Sequence, residues 1–168
     1  MEIVVGSEHA FSLPEQICTT WSLPKGLASH YSIVLKEACE RPILESPDTR
    51  ITLREIDPLI FELFVEYMYY GLYTAPASIS TVNPAQPNID AQAWVLGDSI
   101  RSVKFKNAAM AQLYEGYTIN FMQKPKQVTP ADVKYACTKT AVGSKLREFF
   151  FDFVATHFAD PALSLIHI

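Results

Sequence analysis

The stretch from Asp57 to Gly71 constrains the fold more than any other part of the chain. Asp57 can accept amide hydrogens left unpaired at a helix start, Pro58 is tolerated at the first helical position, and Gly71 is a natural stop. Between them, Leu59, Ile60, Phe61, Leu63, Phe64, Val65, Tyr67 and Met68 put apolar groups on nearly every side. A helix apolar all round must be surrounded by protein. The rest of the chain therefore has to build a core around it. With 49 % apolar residues in a length of 168, it has the material for one domain, or for one domain with a helical appendage.

The neighbouring segments supply a small sheet and several helices. Gln16 to Thr20 and Trp21 to Leu23 read as two short strands, rich in β-branched and aromatic residues and closed by Pro24. Leu27, Tyr31, Val34, Leu35 and Ala38 then recur at helical spacing, which predicts two short helices meeting near Ser32. Pro42 and Pro47 bracket a loop, and Arg50 to Leu53 alternates as a strand does. Residues 74–88 carry three prolines and several Ser and Thr with no aromatic, so they read as an exposed insertion.

Further helices are predicted from Ile89 to about Arg101 and from about Val103 to Tyr117. Thr129-Pro130-Ala131-Asp132 starts another, with Thr as cap and Asp in the first turn. Gly143-Ser144 breaks the chain before a last helix, Lys145 to about Phe158. Strands and helices segregated in this way imply the α+β class, a small β-sheet flanked by a cluster of α-helices.

Chemistry finds little footing. Ser22-Leu23-Pro24-Lys25 matches an S-x-x-K pattern, but Pro24 forbids the continuous helix that would align Ser22 with Lys25. His9, His30, His157 and His167 are isolated, and the six glycines are spread singly rather than gathered in a phosphate loop. Asp48, Glu55, Asp57, Asp90 and Asp98 fall at loops, turns or helix starts, where carboxylates do capping work. No enzymatic activity and no cofactor are expected.

Cys18, Cys39 and Cys137 are too far apart for a zinc site or a disulfide framework. The net charge of −4 and the scattered Lys and Arg argue against nucleic acid as a partner of this segment. No apolar run is long enough for a membrane span. Met1 to Phe11 holds only Ile3 to Val5 as an apolar run and does not read as a secretory signal. An intracellular setting, cytoplasmic or nuclear, is the expectation.

Five Phe residues (Phe149, Phe150, Phe151, Phe153, Phe158) crowd the last helix. More than one of its faces is apolar. Packing on the domain from several sides is one reading, and a docking face for another chain is the other.

Motifs from Trp21 to Tyr117, taken in order, resemble the BTB/POZ domain. Trp21-Ser-Leu-Pro-Lys25 followed by Gly26-Leu-Ala-Ser-His30-Tyr-Ser32 is similar to the family's strand-then-helix segment. Arg50-Ile-Thr-Leu53, Asp57-Pro-Leu-Ile-Phe-Glu-Leu-Phe64 and Tyr67-Met-Tyr-Tyr-Gly71 resemble its strand, Asp/Glu-Pro helix start and aromatic-Gly ending. Ala93-Trp-Val-Leu-Gly-Asp98 and Phe105-Lys-Asn-Ala-Ala-Met110 resemble the helix pair that follows, and residues 135–154 resemble the helical extension common after fungal members. Two departures stand out: Ser32-Ile-Val-Leu35 replaces the usual Ser-Pro-x-Phe element, and 74–88 is additional.

The organisation expected from this is a poorly ordered leader (1–14), a BTB/POZ-like domain (15–118), a helical extension (119–160) and a tail (161–168). The resemblance implies a protein–protein interaction module. Some members bridge a substrate to a cullin-type ubiquitin ligase through a hydrophobic-x-Glu motif between the second helix and the next strand, where Ile43-Leu44-Glu45 stands here. The alternative it implies is a self-association or scaffold module without a ligase role, forming a homodimer through the first helices and first strand.

Overall fold

A computed structural model describes residues 1–6, 18–40, 50–54, 56–75, 85–118 and 126–159. The described residues form an α+β fold with a three-stranded sheet and seven helices. The strands are β1 (Glu2–Val5), β2 (Thr19–Ser22) and β3 (Arg50–Leu53), in the order β2-β1-β3. β1 runs antiparallel to β2 and parallel to β3, with Ile3 facing Trp21 on one side and Ile51 on the other.

The expected leader is therefore wrong over its first residues. Ile3, Val4 and Val5 are buried, and they form the centre of the sheet. A central strand covered on both faces reads as a short continuous apolar run rather than as an alternation, and three β-branched residues are enough for it. The sheet accordingly includes residues well ahead of residue 15, where the domain was expected to start. Of the two strands expected over 16–23, the structure has one, Thr19–Ser22, while Gln16 and Ile17 lie outside the described residues.

The parallel return from β1 to β3 is spanned by two helices, α1 (Lys25–Tyr31) and α2 (Ile33–Glu40), which meet at Ser32. Ser32 is buried for a reason. Its hydroxyl accepts from the Leu35 amide at 3.1 Å and donates to the Ile100 carbonyl at 2.7 Å, which ties the joint to the far end of the domain.

α3 (Pro58–Tyr70) starts and stops as its sequence predicts. Asp57 Oδ1 accepts from the Leu59 amide at 2.9 Å, and Gly71 ends the helix at φ 72°, where a side chain would be strained. Ile60, Phe61, Leu63, Phe64, Tyr67 and Met68 are buried. The all-round burial fails at Glu62 and again at the last turn, where Tyr69 and Tyr70 are exposed.

α4 (Ile89–Ser99) and α5 (Val103–Tyr117) pack closely against each other. Gly97 makes this approach feasible, because a Cβ there would sit 2.9 Å from the Lys106 backbone nitrogen. Phe105, on α5, joins the aromatic core: its ring centroid is 5.1 Å from Phe64, 5.3 Å from Tyr67 and 5.5 Å from Tyr73.

The C-terminal pair is α6 (Pro130–Lys139) and α7 (Lys145–Ala159). Arg147 of α7 closes the end of α6. Its guanidinium donates to the Cys137 carbonyl at 2.6 Å, to the Thr140 carbonyl and to the Thr140 hydroxyl at 3.2 Å. A cation at the carbonyl end of a helix is favoured by the helix dipole as well as by these bonds. Of the crowded Phe residues of α7, Phe149 and Phe150 are buried, Phe153 is partly buried, and Phe151 is half exposed.

Candidate interaction surface and a buried polar network

Ile43, Leu44 and Glu45 lie outside the described residues, as do Asp48, Glu55, Pro42 and Pro47. The structure does place the ends of their segment. Glu40 closes α2 on one side, and Arg50 opens the edge strand β3 on the other.

Besides Tyr114, Val142 and Phe151, the exposed large apolar side chains of the described surface fall at two places. Tyr69, Tyr70 and Leu72 surround the end of α3, with Tyr70 the most open at 74 %. Ile33 and Val103 are the first residues of α2 and α5, which the Ser32–Ile100 bond brings near one another. Beside them, Lys104 Nζ lies 3.2 Å from His30 Nε2 and 5.6 Å from the centre of the Tyr31 ring. Such features suit contacts with another protein, where aromatic and aliphatic anchors ringed by polar groups carry most of the binding energy.

The described residues also hold a buried polar network that sequence reading missed. Asp90 was expected to do capping work. Asn88 takes that role instead, accepting from the Asp90 amide at 2.8 Å. The Asp90 carboxylate is buried, and it accepts from the Tyr73 hydroxyl at 2.9 Å and from Lys126 Nζ at 3.5 Å. Asp98 pairs with Lys106 at 2.8 Å, and of the three carboxylates of that set among the described residues Asp57 caps its helix as expected.

Asp132 belongs to the capping box of α6 and also reaches beyond it. It accepts from the Thr129 amide and hydroxyl, each at 2.9 Å, from the Tyr117 hydroxyl at 3.2 Å, and from the Asn88 amide at 2.7 Å. Four donors saturate one buried carboxylate, which is what lets it stay out of water. The Thr-Pro-x-Asp motif was the only sequence signal of this residue. Its partner 44 positions away left no local trace.

Burial pushes the Tyr73 phenol far above its ordinary value of 10.0, helped by the Asp90 charge and hydrogen bond. Tyr117 is raised by burial and by Asp132, while its bond with Asn88 acts in the other direction. Below pH 10 both phenols are neutral in the folded and unfolded states alike. Above it the unfolded chain loses protons that the folded chain retains, so stability falls as pH rises. Each phenol should contribute a slope of about 1.4 kcal/mol per pH unit. Urea unfolding followed between pH 8 and 11.5 checks this, and Tyr73→Phe should flatten the alkaline limb by one proton.

Among the described residues, no group of three or more His, Cys, Asp or Glu could hold a metal ion. No described helix is long and apolar enough to cross a membrane. Comparison with protein-family models and with curated proteins finds no match.

Proposed function

We propose that the chain is a protein–protein interaction module of the BTB/POZ type, similar to the fungal branch, that performs no catalysis. The observation that carries this reading is the order and pairing of its elements. A mixed β2-β1-β3 sheet is bridged by the paired helices α1 and α2, which meet at Ser32. After it come the Asp57-capped α3 ending on Gly71 and the close pair α4–α5. Apart from β1, these elements fall in the segments on which the sequence resemblance rests, and fold alone would not decide a function.

Within that reading, the segment between α2 and β3 is the contact for a cullin-type ligase scaffold. Ile43 buries its side chain in the partner and Glu45 accepts a hydrogen bond. The test is calorimetric titration with a cullin N-terminal domain. Ile43→Ala/Glu45→Ala should weaken binding by at least about 30-fold, the effect of losing a contact of about 2 kcal/mol, with an unchanged far-UV spectrum. Equal affinity in the double variant would rule out the ligase role.

A self-association module without a ligase role is the second reading. Ile33, half exposed on the first turn of α2, favours it because that turn belongs to the helices through which the family dimerises. Sedimentation equilibrium separates the two readings. A dimer dispersed by Ile33→Glu in a chain that does not bind cullin would favour self-association.

A further inference from the structure

The buried carboxylates Asp90 and Asp132 have no part in the interaction reading, yet they join segments distant in the chain. Asn88 is the N-cap of α4, a place where the backbone amide is commonly left to water. Here that amide donates to Asp132 in the first turn of α6. The Asn88 side chain donates to the Tyr117 hydroxyl at 3.3 Å, and Tyr117, the last residue of α5, donates to Asp132 in turn. Lys126 adds a second tie, its amide on the Gly116 carbonyl at 2.9 Å and its amino group on Asp90.

We infer that the C-terminal pair α6–α7 is a latch on the first turn of α4, so that release of the pair and loosening of that turn are one event. If the pair leaves, the part-buried Asn88 amide and the buried Tyr117 hydroxyl lose their acceptor. If the turn unwinds, Asp132 loses its shortest bond. The latch also bears on the base of the 74–88 segment. Tyr73 just before it is bonded to Asp90 just after it, and Asn88 is its last residue. Drawing Asn88 away from Asp132 would loosen α6–α7, and by reciprocity holding α6–α7 in place would tighten the first turn of α4. The inference stands whichever protein the module binds.

The test is native-state hydrogen exchange by NMR on the full chain in rising, sub-denaturing urea. The Asn88 and Gln92 amides should open with the same free energy and the same urea dependence as the Thr140 amide at the end of α6. Coincidence with the Phe61 amide of α3 as well would mean that the latch opens only with the whole fold, which upholds the coupling. Asn88 exchanging like an amide in open water would overturn it. So would α6 opening while Asn88 stays protected.

Leu146→Ala supplies an independent arm, because Leu146 is buried on α7 and takes no part in the network. Protection at Asn88 should fall by the same factor as protection in α6. A fall confined to α6 and α7 would overturn the inference.

Discussion

Replacing Asp132 by alanine is expected to lower the unfolding free energy by about 3–5 kcal/mol, the range for removing one member of a buried, charged hydrogen-bond network. The substitution takes the acceptor from the Asn88 amide, the Thr129 amide and hydroxyl, and the Tyr117 hydroxyl at once. Each buried donor left unmade costs about 1–3 kcal/mol. The full sum is not reached, because Thr129 sits close enough to the surface for water to replace part of what it loses. Asp132→Asn should fall between the wild type and alanine, since it keeps one acceptor oxygen but turns a donor toward other donors. Urea midpoints at pH 7 for the three proteins give the comparison. A loss under about 1 kcal/mol for alanine would mean that water enters freely and that the network contributes little to holding α6 in place.

The sequence made some parts of this fold legible and hid others, and the difference follows how local each cause is. α3 was readable end to end because its cap, its first-position proline and its αL glycine all act within the helix. The helices α1 and α2 were likewise expected from a local cause, the helical spacing of Leu27, Tyr31, Val34, Leu35 and Ala38. β1 was not. Ile3 to Val5 is a run of three, and its meaning depends on pairing with β2 and β3, up to some fifty positions along the chain. A short apolar run looks alike in a loose leader and in the centre of a sheet.

The polar network failed to show for a related reason. Asp90 and Asp132 both carry the local marks of helix-start carboxylates, and Asp132 is one. Their burial is produced by Tyr73, Tyr117 and Lys126, which reach them through the packing of α4, α5 and α6. An acid that only caps and an acid that caps while tying two helices together have the same sequence signature. Ile43-Leu44-Glu45 is the reverse case, a motif plain in the sequence that lies outside the described residues.

Phe105→Ala should cost about as much as Asp132→Ala, about 3–5 kcal/mol, through an entirely apolar mechanism. Phe105 is fully buried, and its ring touches those of Phe64 and Tyr67 on α3 and of Tyr73 beyond Gly71. Removing it opens a cavity where α3 meets α5. It also withdraws the ring that positions Tyr73, whose hydroxyl is bonded to Asp90. Part of the cost should therefore appear as lost polar order, visible as a weaker tyrosine signal in the near-ultraviolet circular dichroism. Phe105→Leu keeps most of the volume and should cost roughly 1–2 kcal/mol, within the range for imperfect refilling of a core site. Trp21→Ala is the useful control, because Trp21 is only partly buried and its one ring contact among the described residues is with Phe61, 5.0 Å away. If Phe105 joins α3 to α5, its loss must exceed that of the larger Trp21 side chain in a urea titration. Equal losses would place the mechanical centre of the domain at the sheet instead, with α5 a layer that the rest of the fold can do without.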